Sequence, residues 1–409
     1  MRRRGNLYHR ITDIKNIKYI YDKKVRLNTK NKVAIERFDE YYASNIARIK
    51  YILDNKLYKP GKYNIFLIKE PKVRLIMSQS ITDKIINHLV SVYILEYVFD
   101  RLLIDNNIAT RVGKGTHYGI NMLKSYLNLH INEDLYILKF DIKKYFFNIS
   151  HELLKNIIRD NIKDKDAISI IDTIIDSTDD SYINEKIKEI KKKEISKIKL
   201  SNNKDKDKLI KEIIDIPLCK RGYSLSLGCV SSQIFAIVFL YKIDNYIKRV
   251  LKPGIYIRYM DDGILVSNDK EYLKYCLSEI KRLMNAYELE LNSKTRIYSI
   301  DDGFDFLGFR FVRRNGKLSV RVKNQTKRRF KRKMKNLYKL YSEGMVTLDI
   351  VNQVKYSYLG HLRYGNTDSL IDNTLNRYFK DKYDIGNYVA IDDYGNIIIS
   401  NWIIDKQIV

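Results

Sequence analysis

Three aspartates carry the chemistry that this sequence offers. Asp141 lies near the end of the apolar run LYILKFDI (residues 135–142), and Asp261 and Asp262 stand side by side within GIYIRYMDDGILVSN. A solitary carboxylate at the end of a buried strand is costly unless a cation or a partner meets it. Adjacent carboxylates at a hairpin tip repel one another unless a cation lies between or beside them. Hard cations such as Mg2+ take oxygen ligands and are commonly held by one or two carboxylates plus substrate phosphates. Two such ions, held close together, can activate an attacking hydroxyl and escort a leaving pyrophosphate. Each feature also has a plainer reading. Asp-Asp-Gly makes ordinary turns, and an aspartate ending a strand often caps the next helix.

The elements that must position these groups are legible in outline. Residues 1–60 carry apolar positions at helical spacing, and Pro60-Gly61 then breaks the pattern. YNIFLIKEPKVRLIMS follows with the short β-rich runs of a hairpin. Residues 81–104 form an amphipathic helical pattern, and a glycine loop, RVGKGTHYG, leads into another helix ending near His130. The near-continuous apolar run at 135–142 predicts a buried strand. The stretch around 181–212 is lysine-rich and almost free of aromatics, which predicts a solvated helix with a flexible loop. A Gly/Ser loop then turns into an apolar helix, and the Asp-Asp-Gly signal between apolar runs predicts strand, turn, strand. FDFLGFRFVRRNGKLSVRV gives two or three short strands with an Asn-Gly turn. Beyond Asn324 the chain reads as helical and very basic, with Phe330, Met334, Leu337 and Tyr338 forming an apolar stripe among arginines and lysines.

Order and context of the motifs supply a family. Tyr259-Met260-Asp261-Asp262 resembles the YxDD box of reverse transcriptases, and the segment from Phe140 to Phe146 resembles the metal-binding box that precedes it. Between them, Leu227-Gly228-Cys229-Val230-Ser231-Ser232-Gln233 resembles the glycine-serine box that supports the incoming nucleotide. The resemblance covers roughly residues 60–370. It implies an α+β right-hand polymerase fold: N-terminal extension and fingers at 1–134, a palm with an antiparallel sheet at 135–324, a helical thumb at 325–382 and a tail at 383–409. The lysine-rich insertion at 181–212 falls within that palm.

The same resemblance implies roles. Asp141, Asp261, Asp262 and the main chain at Ile142 would hold two Mg2+ ions, for which Mn2+ can substitute. Lys294, in Asn292-Ser293-Lys294, would protonate the pyrophosphate. Lys72 and Arg74, after Pro71, would meet the triphosphate, a task to which arginine's planar fork is suited. Lys143, Lys144, Tyr145, Phe146, Gly228, Ser232 and Gln233 would line the nucleotide site, with Phe146 closing the space for a 2′-hydroxyl. Lys114, Tyr259, Met260, Leu307, Gly308, Arg328 and Arg329 would contact primer or template. Leu227-Gly228 and Ser232-Gln233 stand where the family usually has Gln-Gly and Ser-Pro. The Gly-x-x-x-Ser-Gln form resembles reverse transcriptases of diversity-generating retroelements, whose copying is error-prone at template adenines.

Composition fits a polyanion partner. The chain has 76 Lys and Arg against 49 Asp and Glu, a formal charge of +27, and such an excess attracts nucleic acid. An AT-rich genome would inflate Lys, Asn, Ile and Tyr in the same way. Cys219, Cys229 and Cys276 form no CxxC pair and no zinc spacing, which fits a reducing cytoplasm. The basic N-terminus leads into no apolar h-region, and no uncharged apolar run reaches a membrane-spanning length. The implied partners are an RNA template, a DNA or RNA primer, dNTPs, and a dedicated non-coding RNA or accessory protein. An anti-phage defence reverse transcriptase, a catalytically silent RNA-binding scaffold and an RNA-dependent RNA polymerase remain as rival readings. The forty or so residues expected after the thumb are shorter than an RNase H, integrase or large endonuclease domain, so any cutting or integration is expected to come from a partner.

Overall fold

Eleven strands and a larger complement of helices make up the described part of the chain. The computed structural model describes residues 3–70, 72–201 and 205–379, and the backbone of two short strands beyond them. Pro71, and the tail at 383–409 apart from those two strands, lie outside the described residues. The chain divides into two units, 1–107 with 141–251 and 276–294, and 108–140 with 252–275 and 295–409.

The first unit is mainly helical. Its hairpin pairs β1 (Asn64–Ile68) antiparallel with β2 (Arg74–Ser78), Phe66 standing opposite Ile76. One face of the hairpin buries Ile65, Leu75 and Met77. That face meets Ile183 and Ile187, one helical turn apart on the helix Ser181–Lys199. The lysine-rich stretch is therefore not the solvated helix that its composition suggests. Tyr182 and Ile190 pack beside these isoleucines, and most of its lysines occupy the remaining faces. Further ties join it to the hairpin, from Lys69 Nζ to Glu194 (2.6 Å) and from the Val73 N–H to Glu212 Oε2 (3.4 Å). A second helix, Lys206–Ile214, packs back on the first.

Helix Ile81–Val90 is capped by the Ser80 hydroxyl, which accepts from the Asp83 N–H (3.1 Å). It carries His88, whose imidazole is pushed down from 6.5 to about 4 by burial, with Lys24 and Lys84 adding to the effect. Between pH 6.5 and 4 the unfolded chain binds a proton that the folded chain refuses. Stability present above pH 6.5 is therefore lost as the pH falls towards 4, by up to about 3 kcal/mol. Denaturant melts across this window should show the decline, and His88→Gln should flatten it; an unchanged slope in the variant would assign the decline to other groups.

In the second unit, β3 (Tyr136–Asp141), β4 (Ile255–Tyr259), β5 (Asp262–Ser267) and β6 (Arg296–Ser299) form one sheet in the order β4-β5-β3-β6. β7 (Phe304–Phe306), β8 (Phe309–Arg314) and β9 (Lys317–Val322) form a second, antiparallel sheet. The Asn315-Gly316 turn joins β8 to β9 with both residues at positive φ, 50° and 70°, as that dipeptide predicts. Phe304, Phe306, Phe309 and Phe311 fill the core with Ile137, Ile257 and Ile264. Helix Asn324–Ser342 lays Phe330, Met334 and Leu337 on this core, leaving Arg328, Lys331, Arg332, Lys333 and Lys335 exposed. Helices Leu348–Leu362 and Asp368–Phe379 complete it. Two strands, β10 (Val389–Ile391) and β11 (Ile397–Ile399), pair antiparallel, a small hairpin within the tail. Among the described residues no helix is long and apolar enough to cross a membrane.

Candidate active site

The two adjacent aspartates do not sit as Asp-Asp-Gly turns usually do. Tyr259 pairs with Asp262 and Arg258 with Gly263, so the turn consists of Met260 and Asp261 alone, and the glycine is a strand residue. Met260 takes φ +56°, a left-handed conformation that costs a non-glycine residue about 1–2 kcal/mol. Beneath the turn Arg258 is 0% exposed, and its Nη1 donates to the Met260 carbonyl at 2.7 Å. A buried guanidinium thus holds the strained residue that presents Asp261 and Asp262.

Gly263 has a packing task instead. A Cβ added there would lie 2.3 Å from Cζ of Phe140, a ring that is 0% exposed and stacks with Tyr256. Only a strand residue without a side chain lets that ring lie against β5. On the same strand Lys139 reaches Asp262, Nζ to Oδ1 3.4 Å, and donates to the Asp305 carbonyl (2.8 Å). Residues just before Asp141 therefore contact residues at the start of β5. Asp141, Asp261 and Asp262 are each partly exposed. Asp261 and Asp262 offer hard carboxylate oxygens of the kind that divalent cations take, and the Asp262 Oδ1 beside Lys139 is itself buried.

In the first unit the Asp141 carbonyl accepts from the Asn292 N–H (2.7 Å), and Ile142 bridges to Leu291. The Ile142 side chain is buried, which leaves only its main chain for a ligand role. Lys143 and Lys144 are exposed, Lys143 paired with Glu290 (2.9 Å) and Lys144 at φ +49°. Residues Tyr145–Asn148 form one helical turn rather than a strand end. That turn sends Tyr145 inward, 2% exposed, its hydroxyl donating to the Ala236 carbonyl (2.6 Å). Tyr145 is a packing residue, and the half-buried Phe146 ring stands beside it.

The glycine-serine segment is bound to the basic hairpin. The Met77 N–H donates to the Leu227 carbonyl (2.7 Å), and Gly228, at φ +117°, lies so near Ile76 and Met77 that a Cβ would come within about 3.2 Å of both. This joins the strand of the exposed Arg74, and Lys72 just before it, to exposed Gly228. Ser232, which the resemblance would put at the nucleotide site, lies buried at the start of its helix. It is 3% exposed and shares a hydrogen bond with Ser226 (2.9 Å), so its hydroxyl fixes the loop, while Gln233 on the next face is half-buried.

Primer and template candidates occupy the second unit. Leu307 (φ +48°) and Gly308 (φ +89°) make the turn between β7 and β8, and Gly308 faces His361. Lys114 lies over the Tyr118 ring at 4.4 Å. Arg328 is exposed and Arg329 partly so. Lys294, grouped with the first unit, is exposed, and its N–H donates to Asn292 Oδ1 (3.2 Å).

Arg258, Lys139 and Gly263 were not among the residues singled out by motif. An arginine and a lysine inside otherwise apolar strands were the available signal. A separate cluster, His151 with Asp176 (3.2 Å) and Asp179 (3.7 Å), could also meet a cation, but Lys155 already holds Asp176 at 2.6 Å.

Residues 218–311 match the family described as reverse transcriptase (RNA-dependent DNA polymerase), a segment that runs from before the glycine-serine loop to β8 and contains the Met260-Asp261 turn. The match supports an RNA-directed DNA polymerase, which acts on template, primer and nucleotides. No curated protein matches the chain.

Proposed function

We propose that the protein extends a primer 3′-hydroxyl with dNTPs on an RNA template, within a right-hand arrangement of fingers (1–134), palm (135–324) and thumb (325–382). The observation that carries this reading is the contact of Lys139 and Phe140 with Asp262 and Gly263, which brings the end of β3 to the start of β5. Asp141, Asp261 and Asp262 then serve as one carboxylate set for two Mg2+ ions. Bound there, the ions supply activation of the 3′-hydroxyl and neutralisation of the leaving pyrophosphate.

The chain's own residues do the rest. Arg74 and Lys72 take the triphosphate by charge-assisted hydrogen bonds. Lys294 gives a proton to the pyrophosphate oxygen as it leaves. Leu307 and Gly308 hold the primer end, and the exposed face of helix Asn324–Ser342 follows backbone phosphates. Phe146 occupies the space of a ribose 2′-hydroxyl, which selects deoxynucleotides by exclusion.

Phe146→Ala should therefore raise incorporation of NTPs relative to dNTPs by about tenfold or more, a difference near 1.4 kcal/mol. Primer extension with both nucleotide sets measures it. No change in the ratio would return Phe146 to the core.

The Gly228-x-x-x-Ser232-Gln233 form supports a diversity-generating retroelement as the setting, with a dedicated RNA or accessory protein as partner. Sequencing the extended products tests this. Misincorporation concentrated opposite template adenines is the expected pattern, and faithful copying there would favour a defence enzyme with its own non-coding RNA.

A further inference from the structure

The N-terminal segment builds a second basic site in the first unit, from residues that belong to none of the motifs above. Its backbone is fixed in place. The Arg4 N–H donates to the Asn161 carbonyl (2.8 Å) and the Lys163 N–H to the Arg4 carbonyl (2.7 Å), so that Arg4 and Ile162 form a parallel bridge. Asn6, at φ +54°, then redirects the chain. The N–H groups of Leu7 and Tyr8 both donate to Asp164 Oδ2, at 2.6 and 3.0 Å. Gly5 lets Lys163 cross the segment, since a Cβ there would lie 2.7 Å from Lys163 Cε.

The product is an open cavity of about 720 Å³ lined by Arg3, Arg4, Arg10, Arg101, Lys163 and the ring of Tyr97, with no carboxylate residue in its lining among the described residues. The Arg10 guanidinium lies 3.8 Å above the Tyr97 ring, and among the described residues its buried Nε has no hydrogen-bond partner. Five like charges around one hollow repel, and a buried N–H donor needs an acceptor. Phosphate answers both needs, because the guanidinium fork matches its oxygens.

We propose that this cavity binds the sugar–phosphate backbone of single-stranded RNA. Five cations exceed what one small phosphate neutralises, whereas a polymer supplies successive phosphates along the hollow. Tyr97 is exposed at its wall, and the ring face not covered by Arg10 suits an unstacked base. The site gives the enzyme a hold on its RNA that is independent of the groups proposed for catalysis.

The test measures binding of a fluorescent 5′-hydroxyl RNA to the full chain as salt is raised. Arg3 and Arg101 are exposed, so Arg3→Gln/Arg101→Gln should keep the fold, which a melting curve checks. Loss of two phosphate contacts should reduce the slope of log affinity against log salt by about 1.4, at roughly 0.7 per contact. Affinity at low salt should fall about tenfold. Lys206→Gln/Lys208→Gln removes the same charge from an exposed helix and should leave the slope unchanged. Arg10→Lys keeps the charge without the fork, and should weaken binding several-fold while sparing the slope. Equal losses in the arginine and lysine pairs would overturn the proposal, reducing the cavity to part of the general field. Displacement of the RNA by micromolar pyrophosphate would overturn it in favour of a small phosphate ligand, and displacement by poly-glutamate in favour of an acidic protein.

Discussion

Asp261→Asn/Asp262→Asn should abolish dNTP incorporation, lowering the single-turnover rate at least about a thousandfold. That factor corresponds to about 4 kcal/mol of lost stabilisation at the reacting phosphate, within what electrostatic groups at such centres supply. Both side chains are partly exposed, and asparagine keeps their size, so the fold should survive. Lys139, 3.4 Å from Asp262, would lose a carboxylate neighbour, which a melting curve run on the variant would register. Affinity for primed RNA should hold or rise, because two negative charges leave a positive protein. Primer extension with Mg2+, run beside a binding titration, separates these effects. A variant that still extends within tenfold of the wild type would remove these aspartates from the reaction. Wild-type protein that binds RNA but extends nothing, even with its co-purified RNA restored, would point to a scaffold.

Gly263→Ala is expected to be nearly as damaging, for a steric reason. The new methyl would lie 2.3, 2.5 and 2.9 Å from three atoms of the Phe140 ring, far inside contact distance. The ring cannot step aside freely, being fully buried and stacked with Tyr256. Overpacking of this kind costs about 1–3 kcal/mol, and here the strain falls on the residue that follows Asp262. Activity should drop by at least about a hundredfold, since small displacements of reacting groups have effects of that size. Phe140→Leu shortens the obstructing side chain, so the double variant should recover stability relative to Gly263→Ala. A double-mutant cycle of melts and extension rates measures the coupling. Additive losses would mean that Gly263 and Phe140 act separately.

What the sequence determined by itself was everything that rests on local pattern. The apolar run ending at Asp141, the strands flanking Asp261 and Asp262, the Asn315-Gly316 turn and the buried stripe of Phe330, Met334 and Leu337 follow from residue type and period. Each is decided within a few residues, by burial, turn chemistry or helical spacing.

Only the tertiary structure decided the rest. Asp-Asp-Gly looks like a turn centred on its glycine, yet the turn is Met260-Asp261, because Gly263 is needed opposite Phe140 from another strand. Tyr145 and Phe146 are alike in sequence, but the helical turn buries Tyr145, whose hydroxyl meets the Ala236 carbonyl, and leaves Phe146 half-exposed. Ser232 stands in a segment that resembles a nucleotide-site motif, and its hydroxyl meets Ser226. The lysine-rich helix reads as solvated until β1 and β2 offer Ile183 and Ile187 a surface. In every case the deciding partner is remote in sequence or hidden by local context, and packing selects among roles that composition leaves equal.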